Sequence, residues 1–418
     1  MQRFSGIQLK QISINTLVQF ILRVATSIPT LVGTLLIAYA AGYETLGSFT
    51  KIVSFVSVFY LIADFGMNSV FLKEHFDNTK KYFGNLILFR LLFCIALVLV
   101  AALLTFVLPE NKTAKTGFSE IEKYGIILFS LTIITTGLNF SLQTILQKKL
   151  SYHVSLIPSV ISSLVLLILI VFASFRHDLN LLLFSYIASG AILVSLLFWA
   201  IKRKYSIRFS ITHDFKSFSK RLFILSLPLG AMLFFNLLYA KADMFLLSIF
   251  KPNFDVGVYG ISYKFFEFLL AVPTFLSNSV YPLLLSESKN RNNYYATFKR
   301  YSALFVLVSV SITVLSFFFA PLITILKPEF AKSVLPLQLL SLSLPFFFLT
   351  SLLQWNFLIR NKIRFLVPLY GGALLLNIFL NLLFIPRFTY FAAAITTGIC
   401  ELLVFVIMLW YFMKDKKA

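Results

Sequence analysis

Eight ionisable side chains lie within the long apolar runs of this sequence, where charged groups are rarely found. They are Arg23, Asp64, Arg90, Lys241, Asp243, Lys264, Glu267 and Glu401. A charged group inside a membrane span costs about 2.5–3.5 kcal/mol on insertion scales, and such groups usually pair or face a water-filled cavity. We therefore treat these residues as candidates for function.

Three of the eight are cations predicted to lie near the middle of a span: Arg23, Lys241 and Lys264. Arg23 comes too far into the first apolar run for its side chain to reach the membrane surface. Guanidinium groups grip phosphate through two parallel hydrogen bonds, and an ammonium acts as a point charge. Together the three cations predict a substrate-binding site for an anionic ligand.

Two spacings within helices predict how the charges pair. Lys264 and Glu267 are three residues apart and can pair on one helix face. They form either an internal ion pair or a substrate contact with its neutralising carboxylate. Lys241 and Asp243 are two residues apart and do not share a face, so we expect them to meet different partners.

The remaining carboxylates are candidates for coupling transport to an H⁺ or Na⁺ gradient. Glu401 stands alone in the last apolar run, where burial disfavours its charged form. The alternative for Glu401 is a protonated, hydrogen-bonded side chain. Asp64 and Arg90 lie closer to polar loops. We expect Arg90 to anchor at the interface rather than to bind substrate, and either role is open for Asp64.

The elements that must position these residues are membrane-spanning helices. The chain is 59% hydrophobic and only 13% charged, whereas a soluble domain is about 25% charged. Apolar runs long enough to cross a bilayer lie near residues 13–40, 50–71, 85–108, 124–147, 154–175, 180–201, 222–250, 257–284, 301–326, 334–359, 365–385 and 390–412. The sequence predicts an all-α membrane protein of about twelve transmembrane helices.

Loop charge predicts the sidedness of the chain. One alternate set of loops, with both termini, carries most of the lysines and arginines, so we assign it and the termini to the cytoplasm. This topological bias accounts for much of the net charge of +21. We therefore expect no nucleic-acid partner, and membrane lipids as the surroundings.

A weak internal repeat appears at an offset of 210 residues, where Gly47 aligns with Gly257, Arg90 with Arg300, and Ser141 with Ser351. An even number of helices per copy makes the repeats parallel. We predict two six-helix lobes around a central cavity, an N-lobe over residues 1–208 and a C-lobe over residues 209–418.

Several chemistries have no matching pattern. The cysteines and histidines lack metal-ligand spacing, so no metal site is expected. There is no P-loop, nucleophile elbow or paired catalytic carboxylate, and no long polar loop to build a catalytic site. We expect a protein that is not an enzyme and needs no cofactor.

Four segments resemble one family. The runs 46–49 and 63–70, Val256–Tyr259 in the second half, and the stretch from Asn377 to Pro386 are similar to the Wzx-type polysaccharide repeat-unit flippases of the multidrug/oligosaccharidyl-lipid/polysaccharide exporter superfamily. The departure is at residues 387–391, where relatives tend to carry glycines.

The resemblance implies a flippase for undecaprenyl-pyrophosphate-linked oligosaccharide, working by alternating access in O-antigen or capsule biosynthesis. It implies an inner-membrane location, ion coupling, and polysaccharide polymerase machinery as a partner. The alternative is an ion-coupled multidrug antiporter of the same superfamily, which would favour an anionic cavity. A peptidoglycan-precursor flippase usually has two extra helices.

Overall fold

The computed structural model describes residues 6–75, 78–205, 210–288, 290–360 and 362–417, and these are overwhelmingly helical. The helices are α1 (Gly6–Asp64), α2 (Met67–His75), α3 (Thr79–Thr105), α4 (Glu120–Phe129), α5 (Leu131–Lys148), α6 (Leu156–Phe175), α7 (Leu179–Tyr205), α8 (Phe215–Phe250), α9 (Asn253–Glu287), α10 (Arg291–Phe319), α11 (Ile323–Leu326), α12 (Ala331–Ser341), α13 (Leu344–Ile359) and α14 (Ile363–Lys417). Two short strands, β1 (Glu110–Asn111) and β2 (Thr116–Gly117), lie between α3 and α4.

The outer surface of these helices is apolar. Along the 27 residues of α3, Leu92 is 50% exposed, Leu99 61% and Leu103 65%. A soluble protein rarely exposes a continuous apolar face of this kind. Because a helix satisfies its own backbone hydrogen bonds, it can place such a face in hydrocarbon. The chain is a multi-pass membrane protein.

Length and composition identify nine described helical segments able to cross a membrane, or ten if the bent pair Pro328–Ser341 and Leu344–Ile359 makes one span. Two of the nine, Val24–His75 and Arg364–Asp415, are 52 residues each. At 1.5 Å per residue each measures about 78 Å, against a hydrocarbon thickness of about 30 Å. Each is therefore long enough for two crossings.

Each of these long segments contains a backbone break. In α1 the break is at Gly42, with φ 77°, and in α14 it is at Thr389, with φ 53°. Counting both halves gives about twelve crossings in the described ranges, and the prediction of an all-α membrane protein is confirmed. The break at Thr389 falls in the stretch that lacks glycine, so a β-branched residue occupies a left-handed conformation there.

The chain divides into two compact units. The first comprises the described parts of residues 1–41, 48–113 and 117–237, and the second those of residues 42–47, 114–116 and 238–418. A core cluster of the first unit contains Met67, Phe71, Phe83, Leu86, Leu142, Ile145, Leu146, Leu197, Ile201, Phe218 and Leu222. A core cluster of the second contains Met244, Leu247, Val256, Tyr259, Tyr263, Phe266, Leu340, Leu344, Ile385, Ala392, Ala393 and Ala394.

Within the second unit, two glycines make a reciprocal backbone contact. A Cβ added at Gly47 would lie 1.8 Å from the carbonyl oxygen of Asn253, and one added at Gly257 would lie 2.2 Å from that of Tyr43. Residues 43 and 253, like 47 and 257, are 210 positions apart. At both glycines the neighbouring backbone leaves no room for a side chain.

We predict that Gly257→Ala lowers the free energy of unfolding by about 1–3 kcal/mol, because a methyl group there overlaps backbone that must move. The matched control is Gly371→Ala in α14, where an added Cβ meets nothing within 4 Å. That variant should be as stable as the native chain or slightly more so. Thermal unfolding in one detergent compares them, and equal stability of the two variants would contradict the close contact.

Candidate functional site

Two lysines share one carboxylate between α8 and α9 in the second unit. Lys241 forms an ion pair with Glu267 Oε1, and Lys264 Nζ lies 3.3 Å from Glu267 Oε2. The ammonium of Lys241 also lies 4.8 Å from the centre of the Tyr263 ring. The side chains of Lys241, Lys264 and Glu267 are 26%, 32% and 33% exposed. The cluster therefore carries one excess positive charge and remains accessible.

Asp243 takes a different direction from α8, as its spacing from Lys241 predicts. It is buried, and its Oδ2 accepts hydrogen bonds from the hydroxyls of Tyr259 at 2.6 Å and Thr397 at 3.0 Å. The backbone N–H of Met244 donates to Oδ1 at 2.7 Å. In the described part of the chain, no lysine or arginine forms an ion pair with Asp243. Neutral donors surround this carboxyl group.

Glu401 on α14 is also buried among hydroxyl groups. Tyr239 donates to its Oε2 at 3.0 Å and Thr350 to its Oε1 at 2.5 Å. Among the residues that the structure describes, no cation pairs with it. A carboxyl group held only by hydroxyls can exchange a proton or a small cation without breaking an ion pair.

The first unit uses a buried arginine at a helix break. Between α1 and α2, Phe65 and Gly66 have φ angles of 42° and 70°. At that break Arg90 of α3 donates to the carbonyl oxygens of Ala63 and, at 3.0 Å, Asp64. Carbonyls at a helix end lack partners inside the helix. Arg90 supplies donors to the last turn of α1.

The side chain of Arg90 is fully enclosed. It is 0% exposed and also donates to Asn68 Oδ1 at 2.6 Å and to Ser141 Oγ at 3.2 Å. The expectation that Arg90 anchors at the interface is wrong, because its guanidinium is committed to the helix break. Asp64 contacts it through a backbone carbonyl oxygen.

The repeat partner of this arginine has no such role. Arg300 is exposed, and α9 continues without a break through Phe275 and Leu276, the counterparts of Phe65 and Gly66. In the second unit Ser351, the counterpart of Ser141, bonds Ser277 at 2.6 Å instead. The buried arginine and the broken helix occur together in one copy.

Arg23 lies on α1, but its side chain falls outside the described residues. Of the predicted site, the structure brings together Lys241, Lys264 and Glu267, and places Asp243 and Glu401 in separate hydroxyl-lined positions.

Sequence reasoning missed the partners of these carboxylates. It also missed a buried amide pair on α14, where Asn381 donates to Asn377 at 2.8 Å. Two asparagines four residues apart in an apolar run are a readable signal, since they meet on one helix face. The hydroxyl partners carry no such signal, because they come from distant parts of the sequence.

A family model described as "Polysaccharide biosynthesis protein" matches residues 42–327. No match is found among curated proteins.

Solved membrane transporters have the same fold. The structure titled "Lipid II flippase MurJ, inward closed conformation" matches with a TM-score of 0.74 and 17% identity, covering 96% of this chain and 89% of that chain. An inward-facing multidrug resistance MATE family transporter of the MOP superfamily matches with a TM-score of 0.71 and 11% identity, covering 94% of this chain and 97% of that chain. A Vibrio cholerae MATE transporter, VcmN, matches with a TM-score of 0.63 and 14% identity, covering 98% of this chain and 97% of that chain. At these identities the likeness is one of fold.

We predict that Arg90→Gln lowers the free energy of unfolding by about 3 kcal/mol, because several buried acceptors lose a charged donor. The matched control is Arg300→Gln, at the equivalent, exposed repeat position. It should change the stability by no more than about 0.5 kcal/mol. Chemical denaturation in detergent measures both, and a fully stable Arg90→Gln variant would contradict the capping role.

Proposed function

Because the chain belongs to the polysaccharide biosynthesis protein family, we propose that it is a flippase for undecaprenyl-pyrophosphate-linked oligosaccharide units. It moves them by alternating access from the cytoplasmic to the outer leaflet of the inner membrane, during O-antigen or capsule biosynthesis. Both termini are then cytoplasmic, and polymerase machinery receives the product. In this proposal the chain transports a substrate and does not catalyse a chemical reaction.

The observation that carries this proposal is the accessible lysine cluster in a chain of this family. Lys241 and Lys264 share the single carboxylate of Glu267, which leaves an excess positive charge inside the spans. Pyrophosphate is the strongly charged part of a lipid-linked sugar. Desolvating it costs less where fixed cations replace its water.

Glu267 holds the ammonium groups of Lys241 and Lys264 close together. Two ammonium groups facing one another without it would repel, and the carboxylate holds both. When pyrophosphate binds, it pairs with the two lysines in place of Glu267, and when it dissociates, the lysines pair with Glu267 again. The carboxylate therefore competes with the substrate for the lysines, which favours release of the substrate. Arg23 is the third proposed contact to the pyrophosphate.

Asp243 and Glu401 are the proposed coupling groups for an H⁺ or Na⁺ gradient. Both are buried carboxyl groups with hydroxyl partners, Tyr259 and Thr397 for the first and Tyr239 for the second. A proton or a small cation that binds such a group removes a buried charge. Binding therefore shifts the balance between conformations that bury the group to different extents.

A multidrug antiporter is the second candidate, because MATE transporters match this fold nearly as well as MurJ does. An antiporter for cationic drugs requires accessible carboxylates. In the described part of the chain, the accessible cluster is net positive. Loss of surface glycan on deletion supports the flippase, and sensitivity to cationic drugs supports the antiporter.

We predict that Lys264→Gln, and separately Arg23→Ala, reduces transport at least tenfold while expression and thermal stability are retained. The assay uses proteoliposomes with undecaprenyl-pyrophosphate oligosaccharide and measures the fraction in each leaflet. Lys220→Gln is the matched control, because Lys220 is exposed and lies outside the proposed site. Transport at the native rate by both test variants would refute the anionic load.

Replacing the carboxyl group of Glu401 separates coupling from binding. Glu401→Gln keeps groups that bond to Tyr239 and Thr350 but has no proton to exchange. We predict native affinity for the load and a transport rate that no longer responds to an imposed H⁺ or Na⁺ gradient. A gradient response equal to that of the native chain would exclude Glu401 from coupling.

A further inference from the structure

A polar stripe runs along one face of α9, starting from the lysine cluster of the proposed site. Thr274, Asn278 and Tyr281 follow Glu267 by seven, eleven and fourteen residues. At 3.6 residues per turn, these intervals place the four side chains within about 60° of one another around the helix axis. We call these four residues the α9 stripe. Its two ends lie about 21 Å apart, because each residue adds 1.5 Å along the helix.

The α9 stripe lies between the packed side of the helix and its exposed apolar side. Ser277 and Leu284 are buried, and Leu283, on the side of the helix opposite the stripe, is 47% exposed. Within the stripe, Thr274 is exposed and Asn278 is half-buried. Because open polar groups of a membrane protein face water and not hydrocarbon, the stripe borders a water-filled space.

Two amide side chains beside this space have no hydrogen-bond partner among the described residues, Asn278 in the stripe and Gln354 on α13. Gln354 follows Phe347 by seven residues, and the Phe347 ring lies 5.5 Å from the ring of Phe266 on α9. Seven residues are about two turns, so Gln354 is on the side of α13 that faces α9. Both amides are half-buried, and neither is enclosed. Their donors and acceptors are therefore available to a ligand.

An aromatic pair lies at the far end of the α9 stripe. The ring centroids of Tyr281 and of Trp355 on α13 are 4.5 Å apart, and the ring planes are inclined by 42°. One turn earlier, the hydroxyls of Ser277 and Ser351 bond at 2.6 Å and fix the register of the two helices. Both rings are half-buried. In the part of the chain that the structure describes, the Tyr281 hydroxyl and the Trp355 N–H form no hydrogen bond, so both polar edges are available.

The other two tryptophans of the chain are arranged differently. Trp199 and Trp410 are each 58% exposed, and the cations of Arg203 and Lys414 lie 5.3 Å and 5.4 Å from their ring centres. Exposed tryptophans near helix ends are typical of the membrane–water interface. Trp355 packs against Tyr281 instead. It therefore belongs to the polar face of α9 and α13 and not to the surface that contacts lipid.

Amides and aromatic rings together provide the chemistry that recognises a carbohydrate. A sugar ring presents hydroxyl groups, which an amide can bond both as donor and as acceptor. It also presents apolar C–H groups, which pack on the face of an aromatic ring. The side chains of Asn278, Tyr281, Gln354 and Trp355 are neutral. They therefore favour a neutral polar ligand over a second phosphate group.

We propose that Asn278, Tyr281, Gln354 and Trp355 form a subsite for the sugars of the lipid-linked substrate. This inference rests on the proposed function, in which the lysine cluster binds the pyrophosphate of the same molecule. The sugars are attached to that pyrophosphate, and the α9 stripe leads from the cluster to the subsite over about 21 Å, a length that suits an oligosaccharide. The lysine cluster recognises the charged group that all such lipids share, and the subsite recognises the sugars.

The experiment compares the binding of two lipids to the purified full-length chain in detergent. One is undecaprenyl pyrophosphate without sugars, and the other is the oligosaccharide-bearing lipid extracted from cells in which the gene for this chain is deleted. The native chain should bind the sugar-bearing lipid more tightly. Asn278→Ala with Gln354→Ala should weaken binding of that lipid about tenfold and leave the sugarless lipid unaffected. Ser279→Ala is the matched control, exposed on α9 outside the stripe, and should change neither affinity.

Trp355 gives a direct readout of the subsite. The chain has three tryptophans, so Trp199→Phe with Trp410→Phe leaves Trp355 as the single indole fluorophore. Both replaced side chains are exposed, so this variant should fold normally. Its emission should shift to shorter wavelength when the sugar-bearing lipid binds, because the ring is then covered by sugar instead of water. Undecaprenyl pyrophosphate should leave the emission unchanged.

The two lipids separate failure of the subsite from failure of the proposed function. Equal affinity of the native chain for both lipids, or an equal loss of both in the amide variant, would overturn the subsite and leave the pyrophosphate site intact. Unchanged Trp355 emission with the sugar-bearing lipid bound would also overturn it. Failure of the native chain to bind either lipid would refute the proposed function, and the subsite with it.

Discussion

Hydrocarbon offers no hydrogen-bond partner, and this constraint explains the arrangement of the buried polar groups in this chain. Arg90 uses its donors on the end of α1 and on two neighbouring side chains. Asp243 and Glu401 each collect hydroxyl donors from other helices. These contacts join helices that apolar packing alone would leave free to slide, because hydrocarbon solvates apolar side chains as well as the protein core does.

The lysine cluster differs from these enclosed groups in exposure and in charge. Arg90 is fully buried and its guanidinium donates hydrogen bonds within the protein, so it stabilises a helix break and is not accessible to a ligand. Lys241 and Lys264 remain partly exposed, and the single carboxylate of Glu267 balances only one of their two positive charges. A buried group that is fully paired holds the structure together, whereas an accessible group with an unbalanced charge can bind a load. This distinction separates Arg90, which stabilises the helix break, from Lys241 and Lys264, which we propose to bind the substrate.

The sequence predicted the features that depend on local spacing. The apolar runs gave the helices, the three-residue interval gave the Lys264–Glu267 pair, and the two-residue interval separated Lys241 from Asp243. It did not predict that Lys241 reaches Glu267, because that partner lies on another helix. The role of Arg90 was predicted wrongly, since depth in a span does not reveal a helix break on a neighbouring helix.

The central claim is that the fixed positive charge of the second unit binds a pyrophosphate. Equilibrium binding of undecaprenyl pyrophosphate, undecaprenyl phosphate and undecaprenol to the purified chain at several salt concentrations tests it most directly. We expect affinity to fall in that order, with a salt dependence that is steepest for the pyrophosphate and absent for the neutral alcohol. Equal affinity for the three lipids, unaffected by salt, would contradict the account.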